Sequence, residues 1–471
     1  MRLALELVIA GYVLVLGWSV WKRDEIEVLP SLSWLVLMLA PFWMQFDTFP
    51  EASRSVQAFA VVFIGACLLA GDIVPVKRGR APPADVPLAD PGRLRDFRVY
   101  ALLLILIAIY HVSLLDHIPL VEKYAHRVED GRDLSWMREQ TSKLLPVHTL
   151  TKYVFNWAVN IAAPLAVILA WSERRYGWAL ALLAVALTYA YMSLAKVPLF
   201  VLAMILLIGF LLRISRAKRA VIYVVGLLLL GAVAWDAASF FVRHPSSVLN
   251  YRAPSDRVAT LNLSGADPRS RLTVGDHVRL RPVEMDKALE ARERVYDYYA
   301  NRLFLAPADV SSRWYQYFPA VAGQYIGLQG LTPADRERPA ETHPARLVGA
   351  WAYGARFPDR YLETAQAYAS VDADAYARFG IAGVIGAGCM VIGLRLLLKR
   401  LRQPHVLGET LYAIGLVLCA LLWPMASLQA VLLANGLAVV IGLMLLANWV
   451  ARRRYLQRFP LPDSERTQEP V

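Results

Sequence analysis

Long apolar stretches, separated by short polar or basic segments, run through most of this sequence. A membrane-spanning helix needs about 20 mostly apolar residues, and about eleven stretches approach that length. These stretches are residues 3–21, 29–46, 56–74, 99–119, 150–171, 178–194, 197–212, 221–242, 376–398, 411–428 and 431–450. Since a bilayer core leaves backbone polar groups without water, the pattern predicts an all-α polytopic membrane protein.

The spacing of the stretches divides the chain into four predicted parts. Residues 1–242 contain transmembrane helices one to eight, and residues 376–450 contain helices nine to eleven. Between them, residues 243–375 form one large loop, which is far longer than a simple connector. Residues 451–471 form a polar tail.

Basic residues between the stretches predict how the chain is oriented. Lysines and arginines collect at residues 22–23, 77–98, 174–175, 213–219, 399–402 and 452–458. Cytoplasmic loops carry such an excess of positive charge, and placing all these segments in the cytoplasm makes every second loop cytoplasmic. The N-terminus is then outside, the C-terminus and tail are inside, and the large loop is extracytoplasmic.

Composition excludes further classes of protein. The 471 residues are 57% hydrophobic and 19% charged, with a formal net charge of +12. Because the positive charge lies in short loops, it indicates orientation rather than binding to nucleic acid. Cys67, Cys389 and Cys419 all lie within apolar stretches, which excludes a disulfide framework or a zinc site. The N-terminal stretch is long and lacks a small-residue cleavage site, so we expect no cleavable signal peptide.

Two amphipathic helices are predicted in the second half of the large loop. Apolar and aromatic residues between 289 and 304 recur at helical spacing, and Pro307 would end that helix. Asp309 can cap a second helix that presents Trp314 and Phe318. Such helices lie on membrane surfaces with their rings at the headgroup level, where they either form a site or only seal the loop to the bilayer.

Cations and aromatic rings lie side by side in this loop. Arg302 and Arg313 accompany the rings of Trp314 and Tyr315. At the headgroup plane, the planar guanidinium fork would pair with phosphate oxygens in two places at once. Lys196, between two apolar stretches, is either a further cation for phosphate or a lysine whose head snorkels to the interface.

Acidic residues and a histidine in the loop are candidates for proton or metal chemistry. His343 titrates near neutral pH, so it is a candidate general base, although a loop histidine is also often simply solvated. Asp372 and Asp374 form an Asp-x-Asp pair, which often holds a divalent metal in soluble sugar-nucleotide transferases. Asp374 alternatively stabilises the positive N-terminus of the ninth predicted helix.

Three groups of residues resemble one family of membrane enzymes. In the large loop, Arg-x-Phe-x-x-Pro is followed by aromatics ending in Tyr-x-x-Phe, at Arg302, Phe304, Pro307, Tyr315 and Phe318. Where the chain enters the ninth stretch, an acidic residue, an aromatic and Phe-Gly-x-x-Gly occur at Asp372, Tyr376, Phe379, Gly380 and Gly383. A Ser-x-x-Lys-x-Pro turn lies at Ser193, Lys196 and Pro198. The chain thus resembles the Wzy-type polymerases of O-antigen and capsule repeat units.

This resemblance implies a GT-C-like integral membrane glycosyltransferase in the bacterial inner membrane. Such enzymes take a growing glycan from undecaprenyl pyrophosphate at the outer face and transfer it to the terminal sugar of a new lipid-linked repeat unit. The donor carries its own leaving group, so no nucleotide sugar, cofactor or dedicated metal is expected. The expected partners are the undecaprenyl-pyrophosphate-linked oligosaccharide, membrane lipids and a polysaccharide chain-length regulator.

The chemistry of that reaction suggests a role for each candidate residue. Cleavage of the sugar–phosphate bond leaves negative charge on pyrophosphate, and fixed cations lower the barrier because their attraction grows as this charge develops. The predicted substrate-binding residues are Lys196, Arg302, Arg313, Trp314, Tyr315, Arg346 and Arg378. His343 or Asp372 is the predicted catalytic base for the acceptor hydroxyl.

Other functions are also compatible with many apolar stretches. A transporter or flippase of a lipid-linked glycan would be expected to show internal repeats, and the sequence shows none. An O-antigen ligase, which moves the finished glycan onto the lipid A core, shares the overall plan and would need different loop motifs. A purely structural scaffold would not explain why the unusual residues collect in one loop.

Overall fold

Helices make up the secondary structure of the chain wherever it is described. The computed structural model describes residues 2–22, 25–76, 92–113, 118, 120–121, 149–192, 196–214, 306–327, 344–353 and 369–458. No strand occurs among these residues. In chain order, the α-helices are α1 (Arg2–Lys22), α2 (Leu29–Trp34), α3 (Ala40–Met44), α4 (Glu51–Ile73), α5 (Phe97–Ser113), α6 (Thr149–Trp157), α7 (Ala163–Ser172), α8 (Tyr176–Tyr191), α9 (Lys196–Leu211), α10 (Ala306–Tyr317), α11 (Pro344–Tyr353), α12 (Val371–Leu401), α13 (Val406–Leu422) and α14 (Leu437–Arg458).

Several of these helices are suited to a bilayer. Five helical segments are long and apolar enough to cross a membrane, namely Arg2–Trp21, Ile26–Met44, Ser53–Ile73, Tyr153–Ser172 and Val371–Leu401. Shorter apolar helices are Phe97–Ser113, Tyr176–Tyr191, Pro198–Leu211 and Val406–Leu422. The prediction of a helical membrane protein is therefore confirmed. The predicted stretch at residues 221–242 lies outside the described residues, so the number of spans stays a prediction.

Three predicted spans contain a π-helical turn. These turns are Leu35–Leu39, Ala158–Ala162 and Ala430–Ala434. Pro41 and Pro164 each stand in the first turn of the α-helix that follows a π-turn. Since proline lacks an N–H and clashes with the carbonyl one turn earlier, the wider turn accommodates a residue that would otherwise break the helix. Apolar periodicity alone does not predict such turns.

The chain divides into two compact units. One comprises Met1–Ala10, Leu35–Val62 and Ser215–Val384, and is called the first unit below. The second unit comprises Gly11–Trp34, Phe63–Ile214 and Ile385–Val471. The parts predicted from the sequence are runs of consecutive residues, whereas each of these units groups separate segments that contact one another in the folded chain.

Small residues allow close helix packing in the second unit. A buried apolar core combines alanines with larger side chains at Leu104, Ala158, Ala162, Ala163, Ala186, Ala190 and Leu202. Trp157 donates a hydrogen bond of 2.7 Å from Nε1 to the carbonyl of Leu433, within the last π-turn. In lipid, no hydrophobic effect drives helices together. Close packing of the helix backbones and hydrogen bonds between helices therefore hold this core together.

A buried ion pair joins α4 to α12 in the second unit. Arg395 and Asp72 are both fully buried, and Nη2 and Nε of the arginine lie 2.7 Å and 2.9 Å from Oδ1 of the aspartate. Lys399 donates to the carbonyls of Gly71 and Asp72, at 2.8 Å and 2.6 Å. These carbonyls end α4, where the negative end of the helix dipole favours a cation.

Further charges extend this pair into a cluster. Arg402 Nη1 lies 2.9 Å from Oε1 of Glu27, and its Nη2 lies 2.9 Å from Oε2 of Glu409. The carbonyl of Glu27 also accepts a hydrogen bond of 2.8 Å from Arg395. We name this set the buried charge cluster. Its members are Glu27, Asp72, Arg395, Lys399, Arg402 and Glu409.

Candidate functional site

Helix α10, predicted to lie on a membrane surface, is buried inside the first unit. Its residue Ala308 belongs to an apolar core together with Leu5, Phe42, Phe46 and Phe49. Gln57 donates a hydrogen bond of 3.4 Å from Nε2 to the carbonyl of Ala308. Trp314 and Tyr315 are each only 3% exposed. The rings therefore pack against protein, because the same unit supplies aromatic and apolar partners for them.

The first turn of α10 also differs from the prediction. The helix predicted before Pro307, at residues 289–304, lies outside the described residues, and Pro307 itself lies in the first turn of α10, where a proline loses no helical hydrogen bond. Asp309, expected to cap the helix, lies in the same turn and accepts a hydrogen bond of 3.2 Å from Arg313 Nη2. The two side chains are 9% and 7% exposed. Arg313, a predicted phosphate-binding residue, is thus paired with a carboxylate inside the protein.

A buried carboxylate at the start of α12 connects that helix to α10. Tyr315 donates a hydrogen bond of 2.9 Å from its hydroxyl to Oδ2 of Asp372. Ser370 donates to Oδ1 of the same carboxylate, and the hydroxyls of Ser311 and Ser370 lie 2.7 Å apart. The backbone N–H groups of Asp372 and Ala373 donate to it as well. Asp372 is 0% exposed, and both of its oxygens are occupied.

The Tyr315 hydroxyl acts as a donor in this arrangement. Burial raises the pKa of the phenol well above its ordinary value, and the neighbouring Asp372 carboxylate raises it further. The phenol therefore keeps its proton at neutral pH, since losing it would place a second negative charge beside the first. The ring of Tyr376 packs against the ring of Tyr315, with 4.7 Å between the two ring centroids.

Replacing Tyr315 with Phe is expected to destabilise the protein by about 1.5–3 kcal/mol, because a hydrogen bond to a buried charged group is lost. Thermal unfolding of the purified variant in detergent measures the change. Tyr317→Phe on the same helix is the matched control, since its hydroxyl makes no hydrogen bond with any residue in the described part of the chain. Equal midpoints for the two variants would show that the bond from Tyr315 to Asp372 does not contribute to stability.

Asp374, two residues further along α12, has a different environment. Its Oδ2 lies 3.0 Å from Nε of Arg378, and each side chain is 12% exposed. Arg378 also donates from Nη1 to the carbonyl of Gly327, at 3.2 Å. The pair of Asp374 and Arg378 consequently lies nearer the surface of the first unit than Asp372 does.

Helix α12 is interrupted shortly after this pair. Phe379 has φ −137° and ψ 16°, and Gly380 has φ 62° and ψ −145°. Side chains disfavour the second conformation, so a glycine is required there. Ile326 and Gly327 donate their N–H groups to the carbonyls of Ala377 and Arg378, at 2.8 Å and 3.0 Å. The segment after α10 thereby satisfies carbonyls that the interruption leaves without helical partners.

Two aromatic rings are exposed beside the interruption. Tyr325 is 42% exposed and Phe379 is 47% exposed. A Cβ on Gly380 would lie 3.1 Å from Cζ and Oη of Tyr325, so this ring lies directly over the glycine. We name Asp374, Arg378 and Phe379, which lie within residues 374–380, together with Tyr325 over Gly380, the outer site. It combines one ion pair with two exposed aromatic side chains.

The structure brings some of the predicted site residues together. Tyr315 and Asp372 are in direct contact, Arg313 and Trp314 lie on the same helix as Tyr315, and Arg378 lies on the same helix as Asp372. Lys196 begins α9 and Arg346 lies in α11, but their side chains are outside the described part of the structure. Arg302 and His343 also lie outside the described residues.

Sequence reasoning missed several residues of the site. Ser311, Ser370 and Tyr325 have no motif of their own, and only the folded chain places them near the acidic pair. Asp72 and Arg395 were also missed, although a signal existed. Charged residues inside apolar stretches are expensive in lipid and mark a paired or functional position.

Comparison with known proteins identifies no relative of this chain. No protein-family model, no curated protein and no solved structure matches this chain. Any functional conclusion therefore depends on the residues, their contacts and the resemblance of their motifs.

Proposed function

We propose that this protein polymerises lipid-linked oligosaccharide repeat units. It would transfer a growing glycan from undecaprenyl pyrophosphate to a new repeat unit and thus act as a metal-independent glycosyltransferase. The observation that carries the proposal is the hydrogen bond of 2.9 Å from Tyr315 to Asp372. These residues belong to two separate motifs of the polymerase resemblance. Their direct contact supports interpreting the two motifs as parts of one site.

The outer site has the chemistry that this reaction needs. The bond between C1 of the donor sugar and a diphosphate oxygen breaks, and the negative charge stays on the diphosphate. A guanidinium stabilises this charge more in the transition state than in the bound substrate, which accelerates the reaction. Arg378 supplies such a group, and the exposed faces of Tyr325 and Phe379 can stack on the apolar faces of sugar rings.

We also propose a bacterial inner membrane location, with the N-terminus outside and the C-terminus inside. The basic segments between apolar stretches support this orientation. The large loop and the start of the ninth predicted helix, which together contain the outer site, would then face the compartment in which lipid-linked repeat units are polymerised. A chain-length regulator and the surrounding lipids are the further partners that this function implies.

Replacing Arg378 with Gln is expected to reduce polymerisation at least about 100-fold, because a preorganised charge contact to the leaving group is lost. The protein is reconstituted in vesicles with lipid-linked oligosaccharide extracted from cells that lack it. Gel electrophoresis then measures the length of the glycans formed. Arg175→Gln changes an exposed arginine elsewhere and should leave the ladder unaltered.

Three outcomes for the wild-type protein separate the candidate functions, and one outcome for the variant tests the role of Arg378. Wild-type protein that forms long glycans in this assay supports the polymerase, and an Arg378→Gln variant that forms the same ladder removes Arg378 from the mechanism. Wild-type protein that only moves the labelled lipid between leaflets would identify a flippase instead. Transfer only to an added lipid A core would identify a ligase.

A further inference from the structure

Two carboxylates at the start of α12 lie two residues apart and have opposite surroundings. Asp372 is fully buried, and hydroxyl and backbone donors occupy both of its oxygens. An acceptor sugar could not reach this group without displacing Tyr315 or Ser370. Asp372 is therefore suited to hold α10 against α12 rather than to take a proton from substrate.

One carboxylate oxygen of Asp374 accepts a hydrogen bond from a side chain, and the other accepts none from a described side chain. Its Oδ2 accepts from Nε of Arg378, whereas Oδ1 accepts no side-chain hydrogen bond from any residue that the structure describes. This side chain is 12% exposed, and Oδ1 is not among the fully buried atoms that lack a partner. No described side chain therefore donates a hydrogen bond to Oδ1, and the Asp374 side chain keeps a partly exposed edge.

The position of Asp374 is fixed by the fold. Arg378, one helical turn later, is itself held by the carbonyl of Gly327, so the carboxylate is oriented by a guanidinium with limited freedom. The exposed ring of Phe379 directly follows Arg378 in the chain, and the exposed ring of Tyr325 lies over Gly380, the next residue. A carboxylate five residues before an accessible aromatic ring on one segment is a suitable environment for the hydroxyl of a sugar that packs on that ring.

We infer that Asp374 is the catalytic base of the outer site, that Arg378 positions it through Nε in addition to stabilising the leaving group, and that the acceptor sugar binds against Tyr325 and Phe379. This inference rests on the proposed polymerase function. It differs from the sequence-based prediction of Asp372, whose two oxygens are occupied, and the alternative prediction of His343 lies outside the described residues.

In the reaction, Oδ1 of Asp374 accepts the proton of the acceptor hydroxyl. The acceptor oxygen forms the new bond to C1 of the donor sugar. The bond from C1 to the diphosphate oxygen breaks, and its electron pair leaves with undecaprenyl diphosphate. Asp374 then gives the proton to water, which returns it to the carboxylate form, so no further reactant is needed.

The test measures kcat and KM of reconstituted variants on lipid-linked oligosaccharide extracted from cells that lack the protein. Asp374→Asn keeps the shape and the acceptor oxygen for Arg378 but cannot take a proton. We expect kcat to fall by about 100-fold or more, as for the loss of a general base, while KM changes less than about threefold. Asp374→Glu, which keeps a carboxylate, should retain at least about a tenth of the wild-type kcat.

Asp47→Asn, which alters a carboxylate that is 60% exposed elsewhere in the first unit, should behave as the wild type does. Wild-type kcat in Asp374→Asn would overturn the inference and leave the polymerase function intact. Absence of polymer from the wild-type protein would instead overturn the proposed function. If the Asn variant does not fold, Asp374→Ser tests the same role, because serine is well accepted in the first turn of a helix and is not a base.

Discussion

Replacing Arg395 with Met is expected to destabilise the protein by about 3–5 kcal/mol, because Asp72 is left as a buried charge without its main partner. Both side chains are 0% exposed in the ion pair, so water cannot take the place of the guanidinium. The measurement is the midpoint of thermal unfolding in detergent, followed by tryptophan fluorescence and size-exclusion chromatography. We expect a lower midpoint and a smaller amount of protein in the membrane fraction.

A double variant separates the loss of the charge balance from the loss of packing. Asp72→Leu combined with Arg395→Met replaces both charges by apolar side chains, which is often neutral for a buried pair. We expect it to recover most of the stability lost in the single variant. A single variant as stable as the wild type, or a double variant no better than the single one, would contradict this explanation.

Replacing Gly383 with Ala is expected to destabilise the first unit by about 1–3 kcal/mol or more, as overpacking of a dense region does. A Cβ at this position would lie 2.0 Å from the carbonyl oxygen of Ala375 and 2.8 Å from its carbon. These are backbone atoms, so the clash is relieved only if the interruption at Gly380 changes shape. Thermal unfolding in detergent measures the effect, and activity should fall with it because Asp374 and Arg378 lie beside Ala375.

Gly386→Ala is the matched control on the same helix. No atom lies within 4 Å of a Cβ built at Gly386, and alanine is a better helix former than glycine. We expect this variant to be as stable as the wild type or slightly more stable. If both alanine variants unfold at the wild-type temperature, the close approach at Gly383 does not constrain the helix.

Much of the helical framework could be predicted from the apolar stretches. Helices α1, α4 and α12 occupy regions where the sequence has nearly continuous apolar residues, and periodicity adds little to that signal. The π-turns and the interruption at Gly380 could not be predicted in this way. They depend on contacts between particular backbone carbonyls and a proline or a neighbouring segment. Apolar composition contains no information about those contacts.

The amphipathic pattern of α10 gave a correct helix and a wrong environment. Trp314 and Phe318 form an apolar face that suits either a membrane surface or a protein core, and the sequence does not distinguish the two. The structure buries both side chains. Ala308 of the same helix packs with Phe42, which lies more than two hundred residues earlier in the chain.

The site was only partly predictable, again because the sequence does not show which residues surround a given side chain. Asp372 and Tyr315 were selected by their motifs, and they are in contact. The difference between Asp372 and Asp374 was not predictable, because both precede an apolar stretch and share the same local sequence. It arises from Tyr315, Ser370 and Arg378, which give one carboxylate a closed set of donors and leave the other accessible.

The buried charge cluster has a consequence for a protein exposed to an electric field. It contains three carboxylates and three cations, so its formal charge is zero. Moving one elementary charge through 100 mV changes its energy by about 2.3 kcal/mol, and equal and opposite charges that move together cancel this term. A uniform transmembrane field therefore exerts no net translational force on these six charges taken together.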